Sequence, residues 1–504
     1  MTAKTLMIQG AASSVGKSLL VAGLCRLYAR RGLRVAPFKA QNMSNNAGVT
    51  PEGGEIGRAQ VTQAEACGIP PHVDMNPVLL KPEADSRSQI VVLGRRLDTL
   101  PARDYYRRKA ELWEVVTAAL ARLRSRADLV LIEGAGSPAE LNLKRGDIVN
   151  MAVARHVQAP VLLAGDIDKG GIFAQLLGTL WLLEPEERAL VRGLIVNKFR
   201  GDPDLFADGV RILEERGGVP VLGVIPWLHA HGIPEEDGAG LDDPASTPAL
   251  GAVDDPLVDI AVVKLPRIAN FDDFDPLAAE PGVRIRFVQT PEALGRPDAV
   301  ILPGTKHTLA DLAWLRATGL AEAIMDLSQG GAALVGICGG YQMMGEIISD
   351  PHGVEGGGEV AGLGLLPVEV VFDHQKVTQQ ATAWPLGRWP WFTGQERLTG
   401  YEIHAGQAET PAPLLQIRRS DGEITHDGAA ASDGRTWGTH LHGLFHNDCF
   451  RRAWLSSLGW HETNVLAEGA QMSYRERKAA AYDRLADALE AAADVRRLDA
   501  IIGL

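Results

Sequence analysis

The 504-residue chain has only four cysteines, Cys25, Cys67, Cys338 and Cys449, and no two stand at CxxC spacing. Neither a disulfide framework nor a paired-thiolate metal site is therefore encoded. Basic residues are not in excess: 50 Lys and Arg face 63 Asp and Glu, for a formal charge of -13. Neutralising nucleic-acid phosphates takes a basic face, and no stretch supplies one. There is no apolar run of membrane-spanning length, no internal repeat and no long low-complexity segment. The opening MTAKTLMIQG has a single lysine and a short apolar run that passes straight into a small-residue loop, so it does not read as a signal peptide. These absences point to a reducing cytoplasmic compartment, where the sequon at Asn42 has no glycosylation meaning.

What is present is a globular composition, 46% hydrophobic and 22% charged. The length exceeds one ordinary core and favours two large α/β units. In the first half the apolar runs TLMIQ, RVAPF, DLVLIEG, PVLLAGD, VRGLIVN and VPVLGVIP alternate with amphipathic segments, including a helix from about Lys17 to Arg31. Apolar runs without clean alternation, separated by helices, are what a parallel sheet covered on both faces requires. Residues 232–256 are rich in Pro, Gly and Asp and lack Lys and Arg, the composition of a linker. The alternation then restarts with DIAVVKLP, VRIRFVQ, DAVILPG and ALVGICGG. The expected organisation is two doubly wound α/β domains, 1–231 and 257–504, joined by that linker, with a surface helix over about Met472–Asp494 closing the second.

In TLMIQGAASSVGKSLL a strand runs into a loop of small residues ending in Gly16, Lys17 and Ser18, and a helix follows. Small residues let backbone amides wrap a phosphate, the lysine meets the outer phosphates and the serine can reach Mg²⁺. Gly10 stands one residue before the strict first position, held here by Ala11, and Ser14 lies within the loop. The expected ATP-binding residues are Gly10, Ser14, Gly16, Lys17 and Ser18. A carboxylate for the metal belongs at the end of another parallel strand. Glu133 is the candidate beside Ser18, and Asp166, Asp168 and Lys198 also occupy strand ends.

The stretch GICGGYQMMG puts Cys338 on a bare turn between a strand and a helix, the arrangement of a nucleophile elbow with sulfur in place of hydroxyl. A thiol at a helix N-terminus is stabilised as thiolate, and the glycines after it leave room for a substrate. The base it requires is sought among His440, His442 and His446 of WGTHLHGLFHND, with His404 of GYEIHAG as a fourth candidate. Alternation puts 440 and 442 on one strand face, and spacing alone does not choose between them. Oxyanion donors are expected at Gly339 and in the Pro303-Gly304-Thr305 turn.

GICGGYQMMG, GYEIHAG and GTHLHGLF resemble the triad glutamine amidotransferase domain of the corrinoid amidases. AASSVGKS, EGAGSPAELNL, GDIDKGG and NKFRGD are similar to the dethiobiotin-synthetase-type ATP domain fused to it, and FKAQNMSNNA, NPVLLKP and PGTKHT fit the same family. The resemblance spans nearly the whole chain, with the motifs in family order. It implies that Cys338 attacks the side-chain amide of glutamine with His442 as base, and that Gln342 contacts the bound glutamine. The ammonia released would displace phosphate from a corrinoid acyl phosphate made with ATP and Mg²⁺. The nearest members amidate the b, d, e and g carboxylates of adenosylcobyrinic acid a,c-diamide; the rival within the family is a,c-diamide synthesis. From other classes come a partitioning-type ATPase switch, which leaves the cysteine unexplained, and a simple thiol hydrolase. The expected partners are small molecules, with no prosthetic group, nucleic acid or membrane, and a homo-oligomer is left open. Two positions depart from the family pattern: Leu444 stands where triad enzymes carry a glutamate, and Lys39-Ala40-Gln41-Asn42 stands where dethiobiotin synthetases carry an aspartate.

Overall fold

The computed structural model describes residues 2–84, 87–101, 108–228, 231–234, 257–461 and 472–504. Most of the expected linker, 235–256, lies outside the described residues. The chain forms two compact units, one of residues 1–44, 56–233 and 478–504, the other of 45–55 and 234–477.

The first unit is built on a six-stranded sheet. Its strands are β1 (Lys4–Gly10), β2 (Val35–Phe38), β3 (Leu129–Glu133), β4 (Val161–Asp166), β5 (Val191–Phe199) and β6 (Val221–Pro226). They lie in the order β6-β5-β4-β1-β3-β2, all neighbours parallel. Successive residues of β1 serve opposite layers. Leu6 and Ile8 join a core with α1 (Lys17–Arg30), while Met7 joins the other with Phe38, Val130 and Leu120. Burial on both faces explains why these strands read as unbroken apolar runs. NPVLLKP belongs to a separate sheet, in which Val78–Ala84, Arg87–Val92 and Arg95–Pro101 form an antiparallel meander beside Gln41–Met43.

The second unit repeats the principle with β7 (Val258–Val263), β8 (Val283–Val288), β9 (Ala299–Leu302) and β10 (Ala333–Ile337), then a short helix α3 (Gly339–Met343). Beyond these lie β11 (Glu369–Pro385), β12 (Leu398–Glu409) and β13 (Thr436–Thr439). The order β8-β7-β9-β10-β13 is parallel, and Ala429–Ala430 adds an antiparallel edge. β11 and β12 pair antiparallel in a second sheet that the apolar-run reading did not anticipate.

The domain boundaries differ from the sequence expectation at two places. Residues 45–55 group with the second unit although they precede helix α2 (Arg58–Cys67) of the first. The C-terminal helix α4 (Tyr474–Ala492), expected to close the second domain, contributes its residues from Lys478 to the first. Its apolar residues Ala481, Tyr482, Leu485, Ala486 and Leu489 complete the core under α1, and Asp483 and Asp487 pair with Arg26 and Arg30. The apolar stripe and those partners on α1 decide its placement. The exposed ion pairs add little and set register.

Among the described residues no helix is long and apolar enough to cross a membrane. Leu489 is buried against α1, so Leu489→Ala is expected to destabilise the first unit by about 2–5 kcal/mol. Native-state hydrogen exchange of the α1 amides measures this. Unchanged protection would contradict the docking of α4.

Candidate active site

Cys338 follows the last residue of β10 with φ of 51°, a conformation that L-residues rarely adopt, and so turns its side chain out of the strand path. Two glycines make the turn feasible. A Cβ on Gly340 would lie 1.9 Å from the Leu302 carbonyl oxygen, and one on Gly339 would lie 2.6 Å from Thr305 Cγ2. The thiol is buried, with Sγ 3.6 Å from the Ile403 carbonyl.

His442 is the histidine that reaches it. Burial would raise the Cys338 pKa, yet the charge and hydrogen bond of His442 hold it below the ordinary thiol value, aided by His404 and the Gly339 amide. Burial likewise opposes charge on His442, but Asp273 and the Cys338 sulfur raise its pKa to about 10. Each group thus favours the charged form of the other. The expected helix dipole contributes little, because α3 is only five residues long. The imidazolium supplies the charge instead.

Asp273 is the residue that sequence reasoning missed. Its Oδ2 lies 2.6 Å from His442 Nδ1 and its Oδ1 accepts the Gly443 amide at 2.8 Å, which fixes the ring and leaves Nε2 toward sulfur. His442 lowers the Asp273 pKa against the opposing effect of burial. Leu444, at the position where triad enzymes carry glutamate, is a buried apolar side chain. The orienting carboxylate comes from the turn Phe271–Phe274, 169 residues away in sequence. The acidic string NFDDFD is the signal that could have marked it.

His440 and His442 lie beyond the end of β13 at Thr439, not on one strand face. His440 Nδ1 pairs with Asp427 at 2.9 Å, and its Nε2 lies 3.0 Å from Gln342 Nε2. His404 stacks on His440 with centroids 4.1 Å apart, and its Nε2 meets Glu402 at 3.1 Å. His446 meets the Tyr474 ring at 5.2 Å between centroids, and its charge adds to those that lower the Asp273 pKa. Gln342 Oε1 accepts from Thr308 Oγ1 at 2.9 Å, so the amide is held by protein partners beneath the elbow. Gly304 passes so close that an added Cβ would lie 3.2 Å from His442 Cε1 and 3.7 Å from Cys338 Cβ. Its backbone therefore lies beside the Cys338–His442 pair.

In the first unit the loop after β1 has Ser14 at φ 57° and Gly16 at φ 91°, the curvature a phosphate cradle needs. A Cβ on Gly10 would lie 2.7 Å from the Ala12 carbonyl oxygen, which explains why glycine begins the loop. Lys17 Nζ donates to the carbonyls of Ala12 and Gly136. Ser18 Oγ donates to Glu133 Oε1 at 2.9 Å, which joins the two residues expected at the metal. Lys39, in the segment that lacks the family aspartate, pairs with the same oxygen at 2.8 Å, and Gln63 Nε2 donates to Glu133 Oε2 at 2.5 Å. Lys198 Nζ donates to Ser14 O and pairs with Asp166, so both brace the loop from behind. Asp168 pairs with Arg200.

Two family models match the chain. A CobQ/CobB/MinD/ParA nucleotide binding domain matches residues 6–238, and a CobB/CobQ-like glutamine amidotransferase domain matches residues 259–450. The chain is 57% identical to the cobyric acid synthase of Chloroflexus aurantiacus over 100% of both chains. It is 59% identical to that of Roseiflexus castenholzii over 92% of this chain and 93% of the other, and 58% identical to that of Chloroflexus aggregans over 93% and 94%.

The geometry makes Cys338 reactivity depend on Asp273. Asp273→Asn removes the charge that sustains the imidazolium, so the pKa of His442 falls and that of Cys338 rises. Alkylation of Cys338 by iodoacetamide is expected to slow at neutral pH, with the midpoint of its pH profile moved upward. An unshifted profile would remove Asp273 from this role.

Proposed function

Because the chain belongs to the cobyric acid synthase family, we propose that it is an ATP- and glutamine-dependent amide ligase that converts the b, d, e and g carboxylates of adenosylcobyrinic acid a,c-diamide to amides in cobalamin biosynthesis. The observation that carries this reading is the buried thiolate–imidazolium–carboxylate line of Cys338, His442 and Asp273, in a chain that also carries a phosphate loop.

In the glutaminase half-reaction Cys338 attacks the glutamine side-chain carbonyl, and amides at Gly304 and Gly339 receive the oxyanion. His442, already protonated, gives its Nε2 proton to the departing nitrogen, so ammonia leaves and a glutamyl thioester remains. His442, now neutral, takes a proton from water, which attacks the thioester and frees glutamate. Asp273 keeps the ring in one orientation throughout. Gln342 borders the bound glutamine, and the protein partners of its amide support a bracing role there.

In the synthetase half-reaction the amides of Gly10–Ser18 and the Lys17 ammonium hold the ATP phosphates. Ser18 and Glu133 are hard oxygen donors 2.9 Å apart, of the kind Mg²⁺ takes with phosphate oxygens and water, and the ion would replace the Lys39 ammonium on Glu133 Oε1. When bound, the ion screens the phosphate charge. The corrinoid carboxylate attacks the γ-phosphorus with ADP leaving, and ammonia then displaces phosphate from the acyl phosphate to give the amide. Ammonia in water is mostly protonated and not nucleophilic, which favours making it at a thiolate in the same protein. The enzyme acts in the cytoplasm on small molecules, without nucleic acid or membrane. A partitioning-type switch would leave the thiol site without purpose.

Cys338→Ala is expected to abolish synthesis from glutamine while synthesis from added ammonium survives. Lys17→Ala is expected to remove both. Mass spectrometry of the corrinoid after incubation with ATP and Mg²⁺ counts the amides. A Cys338→Ala enzyme that still uses glutamine, or a Lys17→Ala enzyme as active as the parent, would refute the assignment.

A further inference from the structure

The segment 45–55 precedes α2 of the first unit in sequence, yet it packs into the unit that holds Cys338. It is fastened there at several points. Glu55 pairs with Lys376 at 2.6 Å, and Gln380 Nε2 donates to the Val49 carbonyl. Asn46, Ala47, Val49 and Thr50 are buried. Apolar contacts alone would hold a strap as well, so its polar interior calls for a reason.

Asn46 and Asn270 form a reciprocal pair, 224 residues apart in sequence. Asn46 Oδ1 accepts the Asn270 amide at 2.7 Å, and Asn270 Oδ1 accepts the Ala47 amide at 3.2 Å. Asn270 is held at φ 53°, a strained conformation that this ring of bonds sustains. From Asn270 two routes lead to the same imidazole. One runs along the chain: Asn270 O accepts the Asp273 amide, and the Asp273 carboxylate grips His442 Nδ1. The other runs through space: Asn270 Nδ2 donates to the Tyr401 hydroxyl at 3.2 Å, and the Tyr401 ring stacks on His442 with centroids 5.2 Å apart and planes 15° from parallel. Tyr401 and His442 also exchange backbone hydrogen bonds at 3.1 and 2.9 Å.

We propose that the segment Asn45–Glu55 is a positioning strap for the thiol site, in which Asn46, through Asn270 and Tyr401, sets the placement of the His442 imidazole. The proposal rests on the reading that Cys338 and His442 hydrolyse glutamine. Asn46, Asn270 and Tyr401 touch no reacting atom and act through His442. The strap continues in the chain into Gln41–Met43 and into α2, whose Gln63 holds Glu133 of the phosphate-loop site. A segment that belongs by sequence to the ATP half therefore completes the glutaminase.

The test uses the full chain with Asn46→Ala, Asn46→Asp and Tyr401→Phe. It measures kcat and KM for glutamine hydrolysis, the pH profile of Cys338 alkylation by iodoacetamide, and ammonium-dependent amidation of a corrinoid a,c-diamide. Losing the buried contact to Asn270 predicts a fall in kcat of about tenfold in Asn46→Ala and about threefold in Tyr401→Phe, with little change in KM. The alkylation midpoint moves to higher pH in both. Asn46→Asp keeps the accepting oxygen and is expected to restore most of kcat, while amidation from ammonium stays near the parent rate in all three. The strap is refuted if Asn46→Ala and Tyr401→Phe match the parent in kcat and pH profile, or if glutamine and ammonium activities fall together. Should Asn46→Ala fail to fold, Tyr401→Phe, which lacks one hydroxyl, decides by the same two criteria. A parent enzyme that does not hydrolyse glutamine would overturn the underlying reading, and is distinct from variants that merely equal an active parent.

Discussion

The buried Cys338 thiol and His442 imidazole each favour the charged form of the other, and the second unit is arranged around that pair. Neither charge would persist alone: removing an isolated ion from water costs several kcal/mol even after relaxation. Cys338 lowers that cost for His442, His442 for Cys338, and Asp273 stabilises the cation between them. The strained elbow, the close pass of Gly304 and the turn carrying Asp273 each hold one member in reach of the others. Chemically, the pair is biased toward a deprotonated nucleophile and a protonated acid, the two states amide cleavage requires first.

The phosphate-loop site follows the same rule of compensated charge with different residues. Glu133 is buried at the end of its strand, and the Lys39 ammonium, the Ser18 hydroxyl and the Gln63 amide meet it. Asp166 is answered by Lys198, which in turn steadies the loop at Ser14. A site of this construction binds polyanions through backbone amides and single ammonium groups, so an acidic chain can handle triphosphate without a basic surface. In the proposed reaction one site supplies a nitrogen nucleophile and the other an activated carboxylate, and the product needs both.

Much of this was legible in the sequence where a function sits on one continuous stretch. The loop ending in Gly16-Lys17-Ser18 and the turn around Cys338 each combine strand, glycines and reactive residue within about ten positions, and their structures follow the reading. Glu133 drew notice because an acid at the end of an apolar strand is costly without a partner, and the structure gives it partners in Ser18, Lys39 and Gln63. What was not legible depends on residues distant in the chain. Asp273 meets His442 from 169 residues away, and Asn46 meets Asn270 across 224. Nothing local distinguishes such residues from surface polar ones. The C-terminal helix showed its amphipathic character but not which unit its apolar face would cover. The antiparallel meander of residues 78–101 and the β11–β12 pair lacked the helix-separated rhythm that revealed the parallel sheets.

The charge state of His442 is the quantity on which the account turns. Imidazole ¹⁵N resonances of His442, assigned by comparison with a His442→Gln sample, report it directly as pH is varied. In the parent enzyme the ring is expected to remain doubly protonated through neutral pH and to lose its proton only near the value of about 10 that Asp273 and the thiolate impose. In Cys338→Ser, with no thiolate beside it, that transition should move to lower pH. A ring that is neutral at pH 7 in the parent, or one whose titration ignores the loss of sulfur, would contradict the ion pair.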